Sequence, residues 1–226
     1  MVKQDLDDSL YFLKRFLKGP RQVASIWPSS RHLTQQMFAS LSVADGDLIV
    51  EYGPGTGAFT GEILKLREQG VNVRYLGVEK DPGMHAFLAQ RYPSLDFVLG
   101  DAADVLAHCE SRGLPRARAV ISGLPLIFFD WPVMRDIVRA TRATLEPDGV
   151  FRTFSYVHSF PTRGARDLRE LMREHFEDFS VSRPVLRNLP PAFALTGSAP
   201  AKAPAAGRDA RVSGSPECQF APSLGE

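Results

Sequence analysis

Val50-Glu51-Tyr52-Gly53-Pro54-Gly55-Thr56-Gly57 ends a short β run, Leu48 to Tyr52, and runs into a helical stretch from Gly61 to Gln69. Three glycines at alternate positions let the main chain turn tightly and let a ligand reach the backbone without Cβ clashes. The helix that follows presents free N–H groups to that ligand. In an open α/β sheet the carboxyl end of a strand is where ligands bind. Outward from this turn the pattern alternates. Strands are expected at 73–79, 95–99, 117–122 and 150–156, helices at 82–91, 132–145 and 166–175, then an extended stretch at 179–185 and a short last strand at 192–195. Strands and helices joined by short turns make βαβ units, so the expected fold is α/β, a Rossmann-like, mainly parallel sheet covered on both faces.

The 226 residues divide unevenly around this core. Residues 46–196 form the expected domain and 1–45 an N-terminal helical segment. In 197–226, 19 of 30 residues are Ala, Gly, Pro or Ser and Phe220 is the one aromatic, which reads as a disordered tail. Lys plus Arg number 27 against 26 Asp plus Glu, a formal charge of +1, which argues against a generally basic nucleic-acid binder. Two cysteines, Cys109 and Cys218, exclude a disulfide scaffold and a Cys-rich zinc site. The histidines are scattered without ligand spacing, so no metal is expected. No apolar run reaches the ~20 residues that span a bilayer, and the polar, acidic first residues are unlike a secretory signal, so the expected location is cytoplasmic.

Two acids give the turn its meaning. Glu79 ends the second strand, 22 residues after Gly57, where a carboxylate accepts both hydroxyls of a ribose. Asp101, in Gly100-Asp101-Ala102 after the third strand, is placed to accept from an adenine amino group. One such acid would pass as a helix N-cap; two at consecutive strand ends favour an adenosine ligand. Gly53, Gly55 and Ala58 formally satisfy the dinucleotide pattern, but Glu51 lies just before the turn. A carboxylate there disfavours a pyrophosphate and favours a sulfonium or α-amino cation, which points to S-adenosyl-L-methionine.

Glu51-Tyr52-Gly53-Pro54-Gly55-Thr56-Gly57, Val78-Glu79-Lys80-Asp81, Gly100-Asp101 and Ser122-Gly123-Leu124-Pro125 together resemble the class I S-adenosylmethionine-dependent methyltransferases over roughly residues 10–195. The resemblance implies a seven-stranded sheet whose last strand is antiparallel. It assigns Glu51, Gly53, Gly55 and Gly57 to the methionine moiety, Glu79 to ribose and Asp101 to adenine. Lys80, Ala102 and Ser122 are taken as further cofactor neighbours, and Gly123, Leu124 and Pro125 as substrate contacts.

Two subfamilies come close. Ribosomal RNA adenine dimethylases share the Gly-Pro-Gly-Thr-Gly turn, but their post-strand motif supplies an amide and a stacking aromatic for a flipped base. Here Ser122-Gly123-Leu124-Pro125-Leu126 has neither, and Phe128 and Phe129 are expected in the core. The bacterial phospholipid N-methyltransferases are more similar: residues 16–30, Ser122 to Pro125 and Arg187-Asn188-Leu189-Pro190-Pro191-Ala192 resemble their sequences. That resemblance implies stepwise methylation of phosphatidylethanolamine towards phosphatidylcholine. An RNA adenine N6-methyltransferase, or a non-catalytic adenosyl-ligand-binding membrane module, is the alternative.

The N-terminus agrees with a lipid enzyme. Leu6, Leu10, Leu13 and Leu17 fall within a ~60° helical stripe, with Lys14, Arg15 and Lys18 opposite. From Ser9 to Ala44 there are five Lys/Arg and no acid. Such a helix can lie in an anionic membrane interface, each basic residue contributing about 1 kcal/mol, or simply pack on the domain. The expected protein is thus a monomer, peripheral on the inner face of the cell membrane, with the membrane surface and a phospholipid as partners. In-line methyl transfer needs alignment more than side-chain chemistry. Tyr156 and His158 are candidates to orient the amine or take its proton, or are a core and a surface residue. Ser30 and Arg31 are candidates for the methionine carboxylate or a lipid phosphate, with a Ser30 helix cap competing.

Overall fold

A computed structural model describes residues 30–200. The expected amphipathic helix falls outside the described residues through position 29, as does the segment 201–226. The elements run α1 (Arg31–Phe38), β1 (Leu48–Tyr52), α2 (Thr60–Glu68), β2 (Arg74–Glu79), α3 (Pro82–Arg91), β3 (Asp96–Leu99), α4 (Val105–Glu110) and β4 (Ala117–Ser122). They continue with α5 (Trp131–Thr144), β5 (Leu145–Tyr156), α6 (Arg163–His175), β6 (Phe176–Val181) and β7 (Ala192–Pro200). The seven strands form one sheet in the order β3-β2-β1-β4-β5-β7-β6, with β7 antiparallel to both its neighbours. This is the Rossmann-like methyltransferase architecture, and its antiparallel last strand is the one the sequence led us to expect.

β1 lies next to the centre of the sheet and every residue in it is buried. Leu48, Val50 and Tyr52 enter the core under α5 and α6, while Ile49 enters the opposite core with Leu33, Met37 and Ile63. The strand period of two therefore turns Glu51 to the same face as Ile49, toward α2. Local chemistry fixes the helix starts. Asp81 accepts the Met84 N–H at 2.8 Å with Pro82 at the first helical position, and Thr162 accepts from Ala165. Tyr52 Oη and Thr141 Oγ1 are 3.0 Å apart, joining β1 to α5. Arg152, buried in β5, donates to the Met37 carbonyl at 2.9 Å and holds the end of α1 against the sheet.

Several boundaries differ from expectation: β6 runs over 176–181 rather than 179–185, and α6 starts at 163 rather than 166. Residues 146–149, between the helix expected at 132–145 and the strand expected at 150–156, are absorbed into β5. Ala117 faces Leu145 and Ala119 faces Val150, so residues 146–149 loop out of the ladder as a bulge. The last strand is longer than the expected 192–195, because β7 pairs with β5 through Ser198 and with β6 through Pro200. Residues 197–200 thus belong to the sheet rather than to the tail. Backbone pairing between two strands does not require the apolar side chains whose absence suggested a tail.

Candidate functional site

At the carboxyl edge of β1, β2 and β3 the chain encloses a cavity of about 370 Å³. This is inside the roughly 300–1,000 Å³ range of small-molecule sites. Gly53, Glu79, Lys80, Asp101, Ala102 and Leu124, all picked out from the sequence, line it. Phe128, Phe129, Asp130 and Val133 complete the lining with Val78, Gly100 and Ile137.

The glycine turn is built by close approach. Gly53 and Gly55 both have φ of +58°, and Gly57 has +88°. A Cβ on Gly53 would lie 2.5 Å from Leu124 Cδ2, and one on Gly123 would lie 2.7 Å from the Gly53 carbonyl oxygen. The turn and the Ser122-Gly123-Leu124-Pro125 segment are thus interlocked, with the Gly123 N–H donating to the Tyr52 carbonyl at 2.8 Å. Gly57 serves a different need: a Cβ there would strike the Tyr92 ring and hydroxyl at 2.5 Å. Its missing side chain makes room for the end of α3. Gly123→Ala sets a methyl against backbone, and we expect a loss of about 1–3 kcal/mol in stability. Because the displaced atoms belong to the turn, cofactor affinity should fall at least about tenfold. Thermal unfolding and calorimetric titration measure the two effects.

The three acids are in three different states. Glu79 is almost fully buried; its Oε1 accepts the Asp81 N–H at 3.0 Å and its Oε2 lies 3.5 Å from the Gly55 nitrogen, which donates to it. Asp101 accepts from the Ala103 N–H at 3.0 Å and from Lys80 Nζ at 2.6 Å. Burial raises the Asp101 carboxyl, but Lys80 and the backbone donor outweigh it and hold it below the usual range. Glu51 is buried behind the turn, where Tyr75 and Thr60 hydroxyls both donate to its Oε2 at 2.7 and 2.8 Å. Its Oε1 is buried and has no hydrogen-bond partner among the described residues. Burial pushes the carboxyl up to about 7, opposed by the two hydroxyls and reinforced by the charge of Glu79.

The other sequence candidates sit elsewhere along the same edge or in the frame. Ser122 is buried, and its Oγ accepts the Leu124 N–H at 3.2 Å; Pro125 is buried at the start of a 3-10 turn. Ser30 caps α1, accepting from Leu33, while its own N–H donates to Asn188 Oδ1 at 2.9 Å. Arg31 is exposed on the first residue of α1. Tyr156, the last residue of β5, stacks on His158 with ring centroids 5.6 Å apart. None of these six lines the cavity. Phe128, expected in the core, is 56% exposed. The 3-10 turn Leu126–Phe128 directs Leu126 and Ile127 inward and leaves Phe128 on the rim. Asp130-Trp131-Pro132 is the signal that could have shown this, since it starts α5 at Trp131 and leaves the Phe pair outside the helix.

A glycine cradle, strand-end acids sharing a cavity with two phenylalanines, and a buried carboxylate oxygen without a partner fit an adenosyl ligand with a cationic end. With the strand order, they define a class I S-adenosylmethionine-dependent methyltransferase. No protein-family profile matches the chain. The ornithine lipid N-methyltransferase of Singulisphaera acidiphila is 31% identical over 193 residues, 84% of this chain and 95% of that protein. The chain belongs to that family of S-adenosylmethionine-dependent lipid N-methyltransferases. The ribosomal RNA small subunit methyltransferase A of Chlorobium luteolum is 36% identical over 77 residues, 34% of this chain and 26% of that enzyme. Among solved structures, the N-methyltransferase NodS of Bradyrhizobium japonicum in complex with S-adenosyl-L-homocysteine aligns with a TM-score of 0.56 and 15% identity, covering 75% of this chain and 86% of that one. An rRNA methylase of Streptococcus thermophilus aligns at 0.54 and 13%, covering 74% and 95%. At those identities the structural likeness is one of fold.

Proposed function

We propose that the protein moves methyl groups from S-adenosyl-L-methionine to the primary amine of a membrane lipid. The observation that carries this reading is the likeness to a lipid N-methyltransferase along almost its whole length, against a likeness to RNA methyltransferases confined to a quarter of theirs. The relative's acceptor makes ornithine lipid the first to test. Phosphatidylethanolamine, methylated stepwise towards phosphatidylcholine, presents the same reacting group and is the acceptor that the resemblance of the 16–30 and 187–192 segments implies.

When bound, the cofactor supplies an electrophilic methyl on a sulfonium. In our assignment Glu79 holds the ribose hydroxyls and Asp101 the adenine amino group, with Phe128 and Phe129 in the same cavity. Glu51, whose buried Oε1 has no hydrogen-bond partner among the described residues, meets the cationic methionine end, and Gly53 and Gly55 let that end pass close to the backbone. Gly123, Leu124 and Pro125 form the acceptor's side of the site. Tyr156 and His158 orient the amine or receive its proton, and Arg31 meets the lipid phosphate. Replacing Tyr156 by Phe should then lower kcat about tenfold to a hundredfold and leave cofactor affinity unchanged; an unchanged kcat removes Tyr156 from the reaction. The protein acts as a monomer at the inner face of the cell membrane, touching it through the basic N-terminal segment of residues 1–45. Among the described residues no helix is long and apolar enough to cross a membrane.

The test is competition among acceptors. Vesicles carrying ornithine lipid, vesicles carrying phosphatidylethanolamine, and a small-subunit RNA fragment are each incubated with methyl-labelled cofactor. Label in a lipid amine supports the reading and names the acceptor; label in the RNA alone contradicts it.

A further inference from the structure

The loop between β6 and β7 is separate from the cavity and carries a feature that methyl transfer does not use. Two leucines stand fully in the open there: Leu186 is 73% exposed and Leu189 is 63% exposed. They are held outward. Asn188, between them, is buried; its Oδ1 accepts the Ser30 N–H at 2.9 Å and its Nδ2 donates to the Pro190 carbonyl at 2.6 Å. The Val185 N–H donates to Ala192 at 2.7 Å, closing the base of the loop, and the Val157 N–H donates to the Pro191 carbonyl at 2.8 Å. A loop tied down by a buried amide between two exposed leucines is pre-organised to present them.

Its surroundings are cationic. Arg183 and Arg187 are exposed in the same loop, and Arg187 Nη1 lies 3.5 Å from His32 Nε2, next to exposed Arg31. From Phe179 to Pro200 the sequence has no acidic residue. Two protruding leucines ringed by arginines match a surface that is apolar beneath and anionic on top. The position agrees. Ala192 pairs with Tyr156, so the loop projects from the carboxyl end of β5, the edge of the sheet that holds the cavity at the ends of β1, β2 and β3.

We infer that the 183–190 loop is a membrane-docking device that seats Leu186 and Leu189 among the acyl chains of an anionic bilayer, with Arg183 and Arg187 on the lipid phosphates. The inference rests on the lipid-acceptor reading for its purpose, and adds a contact independent of residues 1–29.

The full-length chain carrying Leu189→Cys and Cys218→Ser is labelled with an environment-sensitive fluorophore; Cys109 is buried and does not compete. Emission should shift to the blue on vesicles of phosphatidylcholine with phosphatidylglycerol, and brominated acyl chains should quench it. Vesicles of phosphatidylcholine alone should do much less. The pair Leu186→Ser and Leu189→Ser, both at exposed positions, should weaken partition onto the anionic vesicles at least about tenfold, with cofactor affinity unchanged. An emission that stays water-like on vesicles, or one already apolar before they are added, overturns the inference. So does a fall of sedimentation from dimer to monomer in the leucine variant, which would make the loop a self-association surface. If the fluorophore inserts but no lipid is methylated, the docking device stands and the acceptor assignment fails. If lipid is methylated without insertion, the reverse holds.

Discussion

Glu51→Gln should remove a loss of stability that Glu51 imposes as pH rises from about 4.5 to 7, while weakening the protein's hold on the cofactor. In the unfolded chain this carboxyl titrates near 4.5, and in the fold at about 7. Below pH 4.5 it is protonated in both states. As pH rises through this window the unfolded state gives up the proton first, so stability falls, and above 7 the full cost of an ionised buried carboxylate remains. A difference of that size corresponds to about 3 kcal/mol, as an order of magnitude. Glutamine keeps an oxygen for Tyr75 and Thr60 but does not titrate. Buried His175, held below its usual range, adds an opposite slope common to both proteins, so urea unfolding at pH 5 and pH 8 should show the wild type losing stability relative to the variant. Cofactor affinity should move the other way. The carboxylate that is costly in the empty fold is, in our assignment, the partner of the cationic methionine end, so the variant should bind S-adenosyl-L-methionine more weakly. The loss should be smaller for S-adenosyl-L-homocysteine, which has no sulfonium charge. Equal losses for the two would remove Glu51 from the sulfonium.

Glu79→Ala should give the largest functional loss. Its carboxylate holds the Gly55 and Asp81 N–H groups and, in our assignment, accepts both ribose hydroxyls. Hydrogen bonds to a charged acceptor are worth about 1.5–3 kcal/mol each, so cofactor affinity should fall a hundredfold or more. The fold should survive, since the two backbone donors it abandons are only partly buried and water can reach them. Calorimetric titration and thermal unfolding together decide this. An unchanged affinity contradicts the ribose assignment, and an unfolded variant would show that Glu79 supports the turn itself.

Much of this site was legible because parallel sheets write themselves plainly. The continuous apolar run of β1, the alternate glycines and an acid at each following strand end are local signals. They located six of the cavity's lining residues, Gly53, Glu79, Lys80, Asp101, Ala102 and Leu124. What escaped depends on contacts distant in sequence. Gly57 has the spacing of a ligand-binding glycine, and that it also makes room for Tyr92, 35 residues on, shows only in the fold. Phe128 looks like core by composition, and only the 3-10 turn before α5 puts it on the rim. Ser30 uses its Oγ to cap α1, and its N–H is held by Asn188, 158 residues away, a contact no local signal shows. The state of Glu51 is of the same kind. Its place before the turn suggested a charge facing a cation, while the burial and the Tyr75 and Thr60 hydroxyls that set its titration come from neighbouring elements.

The most direct measurement is headgroup-resolved mass spectrometry of lipids recovered after the purified protein has been incubated with amino-lipid vesicles and methyl-deuterated S-adenosyl-L-methionine. One or more labelled methyl groups are expected on the headgroup nitrogen with the wild type and none with Glu79→Ala. Lipid that comes back unlabelled from the wild type, under conditions where the cofactor is bound, would contradict it.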